Sequence, residues 1–235
     1  MAQLQRIAIA PSQFHQEQIA LTKEQQHYLG RVLRLEAGDR FIAMDGKGKW
    51  WLAQLTQDNA QVLESLNVET ELPVAITLMM ALPKGNGFDD IVRCCTELGV
   101  TCILPVLSDR TLLHPSSQKL ERWQRIATEA AEQSERAYVP TILAPVAFSV
   151  AVTFNTVAHR YICEARGDYP HLKNALNLVT QEIVVAIGPE GGWTAQEIEN
   201  AIASGFQPVS LGRRILRAVT APVVALSLIT AACEV

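Results

Sequence analysis

Gly188-Pro189-Glu190-Gly191-Gly192 packs glycine, proline and an acid into one short stretch. It follows an apolar run at 182–187 and precedes a helical pattern at 195–204, whose start carries a Thr194/Glu197 capping box. Such a turn exposes backbone N–H and C=O groups just past the carboxyl end of a strand, where open α/β sheets bind ligands. A plain strand-to-helix turn would use the same residue types. The spacing is not G-x-G-x-x-G and no phosphate-loop lysine follows, so neither a dinucleotide nor a nucleoside triphosphate is indicated.

Leu211-Gly212-Arg213-Arg214-Ile215-Leu216-Arg217 stands between the next apolar run and the last helical pattern. Arginines clustered at a strand end make a local cationic site, suited to phosphate or to a planar polar base edge. A solvated loop paired to surface carboxylates fits them equally, and the residues alone leave both readings open. Leu82-Pro83-Lys84-Gly85-Asn86-Gly87 is a third strand-end loop, also readable as a helix-entry turn. Glu132-Gln133-Ser134-Glu135-Arg136 places polar donors at the end of a long helical pattern, where a solvated helix end is the default.

Other chemistries find little support. There is no Cys-x-x-Cys pair and no pair of histidines at ligand spacing, so no metal site is expected. No G-x-S-x-G elbow is present. Cys94-Cys95 reads as core filling. The 5 cysteines are an odd number, which fits a reducing cytoplasmic setting better than a disulfide framework. A net charge of −4 excludes a wholesale basic coat, though not a local basic site. The first residues have no long apolar core and no cleavage signature, so no secretory leader is expected. The apolar stretch at 218–233 is too short to span a membrane, so no membrane partner is expected either.

The elements that must position these residues fall into two textures. Residues 1–72 read as short strands and turns: 41–44, the Asp45-Gly46-Lys47-Gly48 turn, 50–55 and 60–68, with a short helix starting at Thr22. A small β-barrel or half-barrel is expected there. Residues 73–235 alternate strands at 75–82, 100–107, 160–164, 182–187 and 208–211 with helices at 89–98, 117–136, 172–178, 195–204 and 220–233. That alternation predicts an α/β domain with a parallel sheet covered by helices. At 235 residues and 49% hydrophobic content, two modest cores are affordable.

The motifs in their order resemble the RsmE-type 16S ribosomal RNA uridine-N3 methyltransferases of the SPOUT class. The matching segments are Leu82 to Gly85, Thr96 to Val100, Arg122-Trp123 with Glu132-Gln133-Ser134, Ile187 to Gly192 and Leu211 to Arg217, with His27 to Leu35 fitting the family's N-terminal domain. The resemblance covers nearly the whole chain. It implies a PUA-like β-barrel that binds RNA, followed by a SPOUT α/β domain with a deep trefoil knot. It implies S-adenosylmethionine as methyl donor, held by Ile187, Gly188, Pro189, Glu190, Gly191, Gly192, Leu211, Gly212, Ile215, Leu216 and Arg217. It also implies a homodimer acting in the cytoplasm on a uridine of the decoding region of 16S rRNA, within the 30S subunit.

On that basis Arg217 is the candidate catalytic cation and Arg136 a second. Arg31, Arg34, Lys84, Arg213 and Arg214 are candidate RNA contacts. Three positions depart from the family pattern: Val219 stands where an acid is usual, Glu135 where a glycine is, and Cys94 where a lysine is common. Val219 keeps a second reading in view, a catalytically silent RNA-binding homologue. A SPOUT methyltransferase acting on another RNA is a third, and a small-molecule α/β enzyme a fourth.

Overall fold

The computed structural model describes residues 4–111, 115–154, 159–176 and 182–234. The chain forms two compact units, Met1–Glu71 with Ala131–Val139, and Leu72–Ala130 with Pro140–Val235. The second unit is therefore not the contiguous 73–235 stretch expected from the sequence. Residues 131–139 join the first unit because Thr70 and Glu71 bind their backbone: Ala137 N–H donates to Thr70 Oγ1 at 3.1 Å and Tyr138 N–H to Glu71 Oε1 at 3.2 Å.

The first unit holds β1 (Arg6–Ala8), β2 (Phe14–His15), β3 (Gln18–Ala20), α1 (Lys23–His27), β4 (Arg40–Met44), β5 (Trp50–Leu55) and β6 (Asn59–Leu66). The strands make one curled sheet in the order β1-β4-β5-β6-β3-β2, antiparallel except for the β1–β4 pair. Its inner face buries Ile19, Leu29, Phe41, Ala43 and Ala53. The β4–β5 hairpin turns on Asp45, whose Oδ1 accepts from the N–H groups of Lys47 at 2.7 Å and Lys49 at 3.0 Å. Thr22 and Gln25 form the capping box that starts α1, and a π-helical turn, Tyr28–Val32, continues it. Strands β1 to β3, at two or three residues each, are too short to leave a pattern in the sequence.

The second unit holds β7 (Ile76–Ala81), α2 (Gly87–Glu97), β8 (Cys102–Leu107), α3 (Ser117–Gln133, whose end enters the first unit), β9 (Thr141–Ile142), β10 (Val146–Ala147), α4 (Phe148–Ala151), β11 (His159–Cys163), α5 (Leu172–Ala175), β12 (Ile183–Ile187), α6 (Ala195–Ala203), β13 (Gln207–Val209) and α7 (Thr220–Cys233). The expected helix at 172–178 is described only to Ala175, and its positions 177–178 lie outside the described residues. All pairings are parallel, in the order β10-β8-β7-β12-β11-β13, with β9 beside β8.

Side chains alternate across a strand. Met79, Ala81, Val184 and Ala186 join one core layer with Phe148, Ile198 and Phe206. Their neighbours Leu78, Met80, Ile183 and Val185 are fully buried too, so the central strands are covered on both faces, as parallel sheets require.

Candidate functional site

Parallel strands open their carboxyl ends on one edge. In the second unit that edge carries the turns after β7, β8, β11, β12 and β13. Strand β12 is buried along its whole length, which fixes where the 188–192 turn emerges. Gly192 N–H closes the turn on Pro189 O at 2.8 Å.

This turn and the segment after β13 line one open pocket. Ile187, Gly188, Pro189, Glu190, Gly191, Gly192, Leu211, Gly212, Ile215 and Leu216 all line it, as does Arg214. Sequence reasoning did not assign to the cofactor site Cys163, Glu164, Ala165 and Arg166, nor Trp193, Ala218 and Ala221. The first four follow β11, which lies between β12 and β13 in the sheet. Strand order is the signal that would have found them, and a single sequence does not carry it.

The turn is held from beneath by Glu197, which is 3% exposed. Its Oε2 accepts from Thr194 N–H at 2.8 Å, closing the capping box, and its Oε1 accepts from Asp109 N–H at 3.0 Å. Trp193 packs under the turn on Phe148, with ring centroids 4.9 Å apart. Its buried Nε1–H has no hydrogen-bond partner among the described residues. A Cβ on Gly188 would lie 3.2 Å from that nitrogen and 3.3 Å from Cε2, so any larger residue there would press on the ring.

Desolvation pushes the Cys163 thiol up to about 12, which keeps it neutral and without nucleophilic character at ordinary pH. The wall therefore offers backbone groups, apolar surface, the carboxylates of Glu164 and Glu190, and the guanidinium groups of Arg166 and Arg214. This is a binding surface with a few polar anchors rather than a hydrolytic centre. Among the described residues no cluster of His, Cys, Asp or Glu could hold a metal ion, and no helix is long and apolar enough to cross a membrane.

The remaining sequence candidates fall in several places. Lys84 is exposed after β7, and its N–H donates to Glu190 Oε1 at 3.0 Å. Arg213 and Arg217 are exposed and do not line the pocket. The Arg217 carbonyl accepts from Thr220 and Ala221 N–H, both at 2.9 Å, and so opens the first turn of α7. Val219 is the N-cap of α7 and packs against the turn after β7: a Cβ on Gly87 would lie 2.8 Å from its Cγ1. Arg31 and Arg34 are exposed in the first unit, Arg34 with a φ of 57°. Arg136 also belongs to the first unit and is 4% exposed, with its Nη2 2.5 Å from Glu71 Oε2. It does not line the pocket, and its described setting is a buried ion pair.

Comparison with known proteins matches the chain to two families. Residues 70–230 match the family of RNA methyltransferase domains, and residues 21–62 match an RNA methyltransferase PUA domain. Ribosomal RNA small subunit methyltransferase E of Synechocystis is 53% identical over 97% of this chain and 78% of its own length. The Bacillus subtilis protein of the same name is 31% identical over 90% of this chain and 89% of its own. A crystal structure of ribosomal RNA small subunit methyltransferase E from Neisseria gonorrhoeae bound to S-adenosyl methionine superposes with a TM-score of 0.90 at 31% identity, covering 97% of this chain and 98% of that one.

Proposed function

Because the chain belongs to the ribosomal RNA small subunit methyltransferase E family of RNA methyltransferases, we propose that it transfers a methyl group from S-adenosylmethionine to N3 of a uridine in the decoding region of 16S rRNA, within the 30S subunit. The observation that carries this reading is the single pocket lined by both the 187–192 and the 211–216 segments. Its features fit the donor. The backbone of 188–192, the apolar Ile187, Leu211, Ile215 and Leu216, and the carboxylates of Glu164 and Glu190 all line it, the mix that a flat base with cationic groups needs. Bound there, the donor supplies an electrophilic methyl on a sulfonium.

The chain's own residues would do the rest. Backbone groups of 188–192 and 211–216 hold the donor, while Glu164 and Glu190 offer acceptors for its cationic groups. The uridine N3–H is a weak acid and its neutral nitrogen a poor nucleophile. Orienting that nitrogen in a dry pocket supplies much of the acceleration. A cation beside the uracil carbonyls stabilises the imide anion that develops as N3 gives up its proton to solvent water. Arg217 is our candidate for that cation. It is exposed at the start of α7, and among the described residues no carboxylate pairs with its guanidinium. Lys84, Arg213 and Arg214 follow strands of the same edge and would meet RNA phosphates, as would Arg31 and Arg34 on the PUA-like unit.

Helix α7 supports the homodimer reading. Its residues are apolar nearly all round, yet Val223, Val224 and Leu228 are only half-buried in the single chain. The trefoil knot is supported by the TM-score of 0.90 over 97% of the chain. A cytoplasmic setting follows from the ribosomal substrate. Calorimetric titration with S-adenosylmethionine tests the pocket, with binding at one site per chain expected. Methyl transfer to 30S subunits tests the reaction, and a protein that binds no donor would contradict both.

A further inference from the structure

Arg110 follows β8, which is not a neighbour of β12, since β7 lies between them. Two strand spacings are roughly 10 Å. The side chain nonetheless reaches the 188–193 turn, where its Nη1 donates to Gly191 O and, at 3.4 Å, to Trp193 O. It lies across Gly191: a Cβ there would sit 3.1 Å from Arg110 Cδ and 3.7 Å from its Cβ. The base of the side chain is fixed as well. Thr111 N–H donates to Ser108 O at 2.9 Å, and Ser108 N–H to Thr111 Oγ1 at 3.1 Å. The intervening Asp109 N–H is held by buried Glu197. Among the described residues no carboxylate neutralises Arg110.

We propose that Arg110 is a positioning residue that orders the donor-binding turn from two strands away. It does not line the pocket, whereas Gly191 and Trp193, whose carbonyls it holds, both do. Both bonds come from one guanidinium nitrogen at the end of a side chain longer than that of lysine, so a lysine ammonium would reach the two carbonyls less well. Without that clamp the glycine-rich turn samples more conformations, and the donor must order it on binding. The same contact bears on Gly191, because a Cβ there would press on Arg110 Cδ.

This inference rests on reading the pocket as the S-adenosylmethionine site, so its test has a readout that needs no donor. Hydrogen exchange of the 188–193 amides is compared in the donor-free wild-type protein, R110A and R110K. Donor affinity, donor KM and kcat on 30S subunits, and melting temperature are then measured on all three. We expect faster exchange confined to the turn in R110A and a donor Kd and KM raised about tenfold to a hundredfold, as loss of charged hydrogen bonds implies. The rise in KM should exceed the fall in kcat, with partial recovery in R110K and a melting temperature close to wild type. Unchanged exchange and affinity in R110A would overturn the proposal. So would a parallel loss of melting temperature and donor binding in both variants, which would make Arg110 merely structural. Altered exchange in a protein whose wild type binds no donor would instead uphold the clamp and contradict the pocket assignment.

Discussion

Glu190 Oε1 accepts a hydrogen bond from the backbone N–H of Lys84 at 3.0 Å. The bond ties the turn after β12 to the turn after β7, its neighbour in the sheet. The acid of the glycine-rich segment thus has a definite structural task, which is to set the distance between two loops of the functional edge. E190A removes the acceptor and should weaken S-adenosylmethionine binding by roughly threefold to tenfold. E190Q keeps a carbonyl acceptor and should stay closer to wild type. Calorimetry on the pair checks this, and equal affinities for E190A and wild type would refute it.

Arg217 is proposed to act on the reacting base rather than on the donor. R217A should lower kcat by about a hundredfold to a thousandfold, the scale seen when an oxyanion donor is removed. Donor affinity by calorimetry should hold within a few-fold. A matching collapse of donor binding would move Arg217 into the cofactor site.

Arg136 makes the opposite prediction. Its guanidinium is buried against Glu71, and removing one partner of a buried pair costs about 3–5 kcal/mol. For a chain of this size that is a melting temperature lower by roughly 10 °C. R136A should therefore lose thermal stability in scanning calorimetry while its donor affinity at low temperature is kept. A stable R136A that binds donor but transfers no methyl would restore the catalytic assignment suggested by the sequence.

Three desolvated thiols set an alkaline limit. Desolvation raises Cys102 to about 11 and Cys163 to about 12, from an ordinary value of 9.0, and raises Cys95 further in the same direction. The folded chain keeps these protons longer than the unfolded chain does. Their contribution to stability is complete below the unfolded value, and it is lost as pH rises through the folded ones. The urea midpoint should fall between about pH 8 and about pH 10.5, and C163A should flatten part of that slope. A midpoint that rises over this interval would contradict the assignment.

Much of the second unit was legible because its signals are local. A long apolar run, the Thr194/Glu197 capping box and a terminal apolar helix at 220–233 each announce themselves within a dozen residues, and α7 has the expected bounds. Strand order was not legible, because it depends on contacts between distant segments. It alone brings Cys163 to Arg166 to the pocket and lets Arg110 reach over β7. The setting of Arg136 was hidden for a related reason. The end of a polar helix looks solvated until Glu71, far away in sequence, is seen to bury it. Strands as short as Phe14–His15 or Val146–Ala147 exist only through their partners and carry no period of their own.

The central claim is the transfer of a methyl group to uridine N3, and Val219, at the N-cap of α7, is the residue that most directly challenges it, since the sequence resemblance implies an acid there. The decisive measurement incubates the protein with methyl-labelled S-adenosylmethionine and 30S subunits from cells lacking an enzyme of this family. The RNA is then digested and the labelled nucleoside identified by mass spectrometry. The account predicts label in N3-methyluridine from a single position of 16S rRNA. Label in another nucleoside, or no label from a protein that binds the donor, would contradict it.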